Sequence, residues 1–206
     1  MRAVMTLPPG AACFLANLFA LTRGLSLPWQ RRRTTRATRA DFRVVHDLLK
    51  LNLGRGYFSF DQFGRAPGID TDASKESRYA GGGYASRCGR YRYWRYGNNA
   101  ARQMIDFLEG DTVVVAMQDL GHLWRKMVVP FRIDNSAFQR SAVKGWSRAE
   151  RLTLLLRQVF TLSVHFEFIG EYNWVSTHEG QRLSAGELEE HVHILLEFAF
   201  FERSRA

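Results

Sequence analysis

Cysteine is scarce in this sequence: the 206 residues include only Cys13 and Cys88. Two cysteines cannot form the disulfide framework that holds many small secreted domains together, so a reducing compartment is the default expectation. No group of cysteine and histidine residues has the spacing of a zinc site. The sequence therefore argues against a disulfide-stapled domain and against a zinc finger.

Long hydrophobic runs are also missing. The longest apolar stretch covers residues 11–21, is interrupted by Asn17, and is too short to span a bilayer. The sequence shows no internal repeat and no low-complexity tract. We therefore expect a folded chain without a membrane partner, located in the cytoplasm or the nucleus.

Acidic residues are absent from residues 1–40, and the basic charge is concentrated at this end of the chain. The net charge is +9, and residues 1–68 contain 11 Lys and Arg against 3 Asp and Glu. Such a segment favours contact with a polyanion, either nucleic acid or an anionic membrane surface, although it can also be a solvated basic arm. An acid-free, Arg-rich start is also typical of a mitochondrial presequence, and Met1 and Arg2 before apolar residues weakly imitate a signal peptide.

The sequence contains enough apolar material for a hydrophobic core. Its hydrophobic fraction is 46%, and it has 15 Phe. This composition differs from that of disordered chains. The length leaves room for one domain of ordinary size and an additional piece.

The first 66 residues are predicted to be mainly helical. Helical periodicity covers residues 11–23, after a Pro-Pro-Gly breaker. A second helix, capped by Thr34 or Thr35, extends through residues 40–49. A short aromatic strand is predicted over residues 57–60, and a glycine-containing linker over residues 64–68.

The pattern changes at Ile69, where short segments rich in β-favouring residues begin. Residues 112–115 are β-branched enough to form a strand, but a broad apolar face favours a helix there. Ser147 with Glu150, and Ser184 with Glu187, form capping boxes that predict the starts of two helices. The expected elements are three antiparallel strands (69–74, 81–87 and 90–96), a helix (108–124), a strand buried on both faces (127–133), a short helix (136–143), a long helix (147–165), a strand (166–175) and a last helix from residue 184 to about 200. This order predicts an α/β fold.

Three carboxylates follow this pattern at suitable places. Asp72 lies on the first of the three strands, Glu109 lies near the start of a helix, and Asp134 ends a later strand. Carboxylates in these positions can converge on one edge of a sheet, and Mg²⁺ prefers oxygen ligands of this kind. On spacing alone, a surface role for any one of them is the alternative.

Five short motifs resemble, in order, the ribonuclease H region of reverse transcriptases from retroelements. The resemblance is greatest to DIRS-type elements and to related Gypsy-type and pararetroviral polyproteins. The motifs lie at residues 71–74 with 81–83 (Thr-Asp-Ala-Ser, Gly-Gly-Gly), 107–109 (Phe-Leu-Glu), 133–137 (Ile-Asp-Asn-Ser-Ala), 144–156 (Lys-Gly-Trp-Ser-Arg, then Arg-Leu and Leu-Leu) and 174–179 (Trp-Val-Ser-Thr-His-Glu).

The resemblance covers residues 69–190 and implies a ribonuclease H-like mixed five-stranded sheet flanked by helices. Residues 10–60 resemble the stretch that joins the polymerase palm to the ribonuclease H region in those elements. We therefore predict a basic helical connection segment over residues 1–66 and a ribonuclease H-like domain over residues 67–206. The polymerase motif itself, an aromatic residue followed by any residue and two aspartates, is absent. The resemblance therefore implies that the chain is the C-terminal part of a retrotransposon reverse transcriptase, or a gene derived from one, and that its partner is a polymerase domain missing from this chain.

The resemblance also implies a chemistry. Asp72, Glu109 and Asp134 match the family residues that hold two Mg²⁺ ions, which Mn²⁺ can replace. The reaction is hydrolysis of the RNA strand of an RNA–DNA hybrid, which is recognised by its backbone shape and 2′-hydroxyls. In the basic segment, the candidates for holding phosphates are Arg31, Arg32, Arg33, Arg36 and Arg39. Asp70 and Asp111 are expected to be solvated neighbours of the site and not ligands.

The chain departs from the family at the fourth acid. Gly180 stands where an asparagine is expected, and Ser184 stands where the aspartate falls. Glu187, one turn further on, is a candidate catalytic substitute, although its place in a capping box is a sufficient structural explanation. His178 is a candidate for the mobile catalytic histidine that assists product release in some relatives.

Two alternative functions follow from these departures. The first is a catalytically degenerate protein that kept the fold and binds nucleic acid. The second is a structural subunit of a mitochondrial complex, whose Arg-rich presequence would be removed.

Overall fold

The computed structural model describes residues 10–27, 30–50, 63–76, 79–97 and 102–175. The chain divides into two compact units, residues 1–173 and 174–206, and nearly all of the described residues belong to the first. Within the described ranges, no helix is long and apolar enough to cross a membrane. The predicted last helix, the aromatic strand at 57–60, Glu187 and His178 lie outside the described residues.

A mixed sheet of six strands forms the centre of the described structure. The strands are β1 (Gly64–Arg65), β2 (Ile69–Lys75), β3 (Ala80–Ser86), β4 (Tyr91–Arg95), β5 (Met127–Ile133) and β6 (Ile169–Trp174). Strand β2 pairs with β3 in antiparallel fashion and with β5 in parallel fashion, and β3 pairs with β4. The path through the sheet is β1-β5-β2-β3-β4, and β6 also pairs with β5.

Five α-helices accompany the sheet in the described part of the chain. The helices are α1 (Ala16–Thr22), which follows a 3₁₀ turn at Ala11–Phe14, α2 (Arg36–Lys50), α3 (Ile105–Leu120), α4 (Ser136–Lys144) and α5 (Glu150–His165). Helix α3 packs on β2, β3 and α5. Helices α1 and α2 pack on each other and on the 3₁₀ turn, which packs on α5.

The predicted mixed sheet flanked by helices is confirmed. Strand β5 has the predicted bounds. Each of the three antiparallel strands begins and ends within one residue of its predicted bounds. The strand alternative at 112–115 is wrong, because these residues lie inside α3. Strand β5 was expected to be buried on both faces, but alternate residues of it are only half-buried.

Other details also differ from the sequence prediction. The helix predicted over 108–124 covers residues 105–120, and the strand predicted over 166–175 covers residues 169–174. The linker at 64–68 contains the two-residue strand β1, which pairs with β5 and makes the sheet six-stranded instead of five-stranded. The long helix begins at Glu150 and not at Ser147, because the Ser147 hydroxyl accepts from the backbone N–H of Ala149 and does not cap the helix. The predicted capping box is therefore wrong at this position.

The N-terminal helices are fixed to the body of the unit by a buried carboxylate. Asp41 of α2 is 2% exposed. Its Oδ2 atom accepts from Nη2 of Arg157 on α5 at 2.7 Å and from Nδ2 of Asn17 on α1 at 2.7 Å. The Arg157 guanidinium also lies 5.4 Å from the centre of the Phe14 ring, a cation–π distance. The predicted boundary near residue 66 stays a prediction.

Candidate metal and nucleic-acid site

Two of the three predicted carboxylates lie next to each other where the parallel pairing of β2 with β5 ends. In the register of β2 and β5, Thr71 is opposite Ile133. Asp72, in the middle of β2, and Asp134, directly after β5, follow these two residues. The pairing therefore brings together two residues that are 62 positions apart in the chain. Both residues are exposed.

Helix α3 supplies the third carboxylate. Glu109 lies in the second turn of α3 and is 3% exposed, which is unusual for a glutamate. Its Oε2 atom is buried and has no hydrogen-bond partner among the described residues. A buried carboxylate oxygen without a partner costs free energy, so this atom needs an explanation.

The electrostatics show that the three acids share one environment. Burial raises the pKa of Glu109 to about 8, with further increases from the charges of Asp72 and Asp134, while a backbone hydrogen bond from Ala73 lowers it. Loss of surrounding water raises the pKa of Asp72 as well, followed by the charge of Asp134, although the residue as a whole stays exposed. Like charges held within range of each other favour protonation, and a cation placed among them would relieve that cost.

The donor set fits a hard divalent cation. All three side chains offer carboxylate oxygens, and Glu109 Oε2 is an orphaned acceptor at the place where the charges repel. As the side chains are placed, no three His, Cys, Asp or Glu groups within the described ranges are close enough to hold an ion. The three carboxylates are therefore neighbours, and their side chains would have to move closer to one another to hold a cation.

Gly83, the cross-strand partner of Asp72, has no side chain and so leaves room for an aromatic ring beside the carboxylate. This arrangement was not predicted from the sequence. Asp72, Gly83 and Tyr93 are cross-strand partners in one row over β2, β3 and β4. A Cβ atom at Gly83 would lie 2.3 Å from Cδ1 of Tyr93, so the tyrosine ring lies directly over the glycine. The pKa of Tyr93 is raised by burial, then by Tyr91 and then by Asp72, which places the phenol within electrostatic range of that carboxylate. The Gly-Gly-Gly motif was the only signal for this arrangement in the sequence.

Asp70 and Asp111 have protein partners and are less solvated than the sequence suggested. The Asp70 carboxylate forms an ion pair with Arg132 at 3.1 Å, and Asp111 accepts from the Tyr96 hydroxyl at 2.9 Å. Asn135, part of the motif around Asp134, has a structural role: its side chain accepts from the backbone N–H of Phe138 and caps α4.

The arginines predicted to hold phosphates are all exposed. Three of them lie in the irregular stretch before α2, and two lie in the first turns of α2. They are Arg31, Arg32, Arg33, Arg36 and Arg39. Their exposure is compatible with phosphate binding but does not by itself distinguish it from solvation.

Comparison with models of known protein families gives no match, and comparison with curated proteins gives none either. Solved structures that resemble this chain include ribonuclease H domains. One is ribonuclease H1 from the halophilic archaeon Halobacterium salinarum NRC-1, with 14% identity over 57% of this chain and 90% of that one and a TM-score of 0.46.

Two further solved structures are similar to the same extent. The N-terminal ribonuclease H domain of a Mycobacterium tuberculosis protein, fused to maltose-binding protein, has 15% identity over 57% of this chain and 88% of that one, with a TM-score of 0.45. LC11 ribonuclease H1, isolated from compost by a metagenomic approach and solved with an RNA/DNA hybrid, has 15% identity over 56% and 88%, with a TM-score of 0.45. At this level of similarity, the functional conclusion depends on the residues of the site.

Proposed function

We propose that this chain is a Mg²⁺-dependent nuclease that cleaves the RNA strand of RNA–DNA hybrids. The observation that carries the proposal is the buried, unpartnered Oε2 atom of Glu109 in the electrostatic field of Asp72 and Asp134. A structural role does not explain this atom, because a structural carboxylate would be paired or exposed. A ligand to a divalent cation explains both its burial and its lack of a protein partner.

Each of the three acids contributes differently to such a site. Asp72, in the middle of β2, and Asp134, directly after the neighbouring strand β5, are both exposed and so accessible to a substrate. Glu109 comes from the rigid helix α3 and, with a pKa of about 8, holds a proton at neutral pH until a cation replaces it. When bound, Mg²⁺ would activate water for attack on a phosphodiester and stabilise the charge on the leaving oxygen.

Two further parts of the proposal rest on the sequence motifs. The order of the motifs favours a retroelement reverse transcriptase of the DIRS or Gypsy type as the source, with a polymerase domain as a partner. Glu187 and His178 remain candidates for the fourth acid and the product-release histidine. The exposed arginines before and within α2 are candidates for binding the hybrid backbone.

The test is cleavage of a labelled RNA–DNA hybrid in Mg²⁺ and in Mn²⁺. We expect Asp72→Asn and Asp134→Asn each to lower the cleavage rate at least about a hundredfold. Asp70→Asn is the matched control, because it makes the same change two residues from Asp72 on the same strand; its rate should stay within about threefold of wild type. RNA duplex and DNA duplex of the same sequence should not be cut.

Two outcomes would contradict the proposal. The first is cleavage that survives in both Asn variants, and the second is cleavage that persists in EDTA. Glu187→Gln belongs in the same series: a loss comparable to that of Asp134→Asn would assign it as the fourth acid, and an unchanged rate would leave it as a helix cap.

A second candidate function is a degenerate ribonuclease H-like protein that only binds nucleic acid. The departure from the family at Gly180 and Ser184 favours it, as does the absence of a ready three-acid cluster in the part of the chain that the structure describes. In that case the same assay would show hybrid binding in Mg²⁺ and in EDTA alike, without cleavage.

A further inference from the structure

One face of helix α2 carries a regular line of basic side chains. The positions follow each other at intervals of three, four, three and four residues, which is the spacing of a single helix face. All five are exposed. They are Arg36, Arg39, Arg43, His46 and Lys50, which we call the α2 basic face; its last three members were not among the residues predicted from the sequence.

The opposite side of α2 is committed to the protein core. Thr38, Asp41 and Leu48 are buried, and Val45 packs against the core. This buried line is displaced from the basic line by two residues, or about 200° around the helix axis. The buried pair of Asp41 with Arg157 fixes the rotation of the helix. The α2 basic face is therefore held pointing to solvent.

The basic face has four permanent cations that form no ion pair with an acid in the described part of the chain. Within the described ranges, Arg36, Arg39, Arg43 and Lys50 form no ion pair, whereas Nδ1 of His46 lies 3.2 Å from Oδ1 of Asp47. Some other exposed arginines of the unit are paired, as Arg92 is with Asp119 and Arg125 with Glu167, whereas Arg140 and Arg148 have no ion pair within the described ranges either. A row of unneutralised charges repels itself, and a bound polyanion would remove that repulsion.

We propose that the α2 basic face is a backbone-tracking surface for nucleic acid, separate from the three acids. This inference rests on the proposed function for the class of ligand. From Arg36 to Lys50 the helix rises about 21 Å, the axial length over which one strand of a duplex presents about six phosphates, of which a straight helix face can contact those that face it. A linear row of cations suits a linear polyanion better than a compact anion.

The same geometry disfavours a membrane as the partner. An amphipathic basic helix binds a membrane by inserting its apolar face, with the cations at the headgroups. In α2, Val44, Val45 and Leu48 pack in the core, so Phe42 and Leu49, which are 50% and 47% exposed, are the only large apolar side chains of this helix left for insertion. Arg31, Arg32 and Arg33 precede the helix and extend the same charge toward its N-terminus.

The test is equilibrium binding of the full chain to a fluorescent RNA–DNA hybrid of about 20 base pairs in EDTA, over a range of salt concentrations. The test variant combines Arg36→Gln, Arg39→Gln and Arg43→Gln. The matched control combines Arg140→Gln, Lys144→Gln and Arg148→Gln, three exposed cations on and after α4. Both variants lose the same charge.

We expect the α2 variant to bind at least about tenfold more weakly near 0.1 M salt, and its dependence of log K on log salt to flatten by about 2 to 3. The control should lose less than about threefold. A third variant with Lys in place of the same three arginines should retain most of the affinity, which separates loss of charge from loss of structure. Thermal unfolding of all three should match wild type.

Several results would overturn the inference. These are an unchanged salt slope in the α2 variant, an equal loss in the α4 control, or a Lys variant as weak as the Gln variant. Loss of binding to vesicles of phosphatidylcholine and phosphatidylserine, with hybrid binding intact, would assign the face to membranes instead. Because binding is measured in EDTA, failure of cleavage alone would refute the proposed nuclease but leave this surface in place.

Discussion

Two carboxylates are buried to the same degree in this molecule, but their surroundings differ. Asp41 is 2% exposed and Glu109 is 3% exposed. One oxygen of Asp41 accepts from both Arg157 and Asn17 at 2.7 Å. Glu109 has no cation beside it, keeps one oxygen without a partner in the described structure, and faces two further acids.

The difference between them separates a structural role from a functional one. A buried charge is tolerated when it is paired and hydrogen-bonded, and Asp41 meets both conditions while joining three helices. Glu109 has a backbone hydrogen bond from Ala73, but in the described structure it has no cation partner and its Oε2 atom has no donor, so its own contacts do not offset the cost of its burial. Buried charged groups without protein partners are typical of sites where a bound ligand supplies the missing partner.

The largest expected effect comes from breaking the paired carboxylate. Asp41→Ala would leave the Arg157 guanidinium buried without its partner and should lower the free energy of unfolding by about 3–5 kcal/mol. Urea unfolding measures this change. Asp47→Ala, at an exposed position on the same helix, should change it by less than about 0.5 kcal/mol. Equal effects of Asp41→Ala and Asp47→Ala would show that the pairing of Asp41 with Arg157 does not stabilise the packing of the helices.

Removal of the unpaired carboxylate should have the opposite sign. The pKa of Glu109 is about 8 when folded and 4.5 ordinarily, so the folded state binds the proton more tightly. Its stabilising contribution is therefore complete below about pH 4.5 and is lost as the pH rises toward 8. Without metal, Glu109→Gln should be more stable than wild type at pH 8 by roughly 2–4 kcal/mol, and the difference should vanish near pH 4.5.

Urea unfolding in EDTA from pH 4.5 to pH 9 checks this prediction. Glu150→Gln is the control, because Glu150 is exposed in the first turn of α5 and should show no such pH-dependent difference. A Glu109→Gln variant that is less stable than wild type at pH 8 would mean that the carboxylate is stabilised by the protein after all.

The smallest expected effect concerns the hydrogen bond that Asn17 donates to Asp41. Asn17→Ala removes one of its two side-chain donors but leaves Arg157 in place, so the free energy of unfolding should fall by about 1–2 kcal/mol. Gln118→Ala, at an exposed position of α3, should be within about 0.5 kcal/mol of wild type. A loss as large as that of Asp41→Ala would place the main support of the carboxylate on Asn17.

The sequence could predict elements whose signal is local. Strand β5 is a continuous apolar run, and the cross-strand aromatic residues of β4 are visible in the sequence. Strand β1 could not be predicted, because two residues show no periodicity and their pairing partner lies more than 60 residues away. The predicted start of α5 was wrong because the Ser147 hydroxyl accepts from the backbone N–H of Ala149, a local hydrogen bond that takes the place of a helix cap.

The candidate site was predictable only in part, for a similar reason. Asp72, Glu109 and Asp134 were recognised from ordered motifs, but the burial of Glu109 and its missing partner depend on long-range packing. The pairing of Asp41 with Arg157 spans 116 positions and leaves no local pattern. The position of the Tyr93 ring over Gly83 depends on the register of three strands. The glycine motif indicates a close approach to the backbone but does not show which aromatic residue makes it.

The central claim is that the unpaired oxygen of Glu109 is there to bind a divalent cation, and calorimetric titration with Mg²⁺ tests it most directly. We predict that wild type and Glu150→Gln bind Mg²⁺ alike and that Glu109→Gln binds at least about tenfold more weakly. Equal Mg²⁺ affinity of Glu109→Gln and wild type, or no binding to either, would contradict the claim.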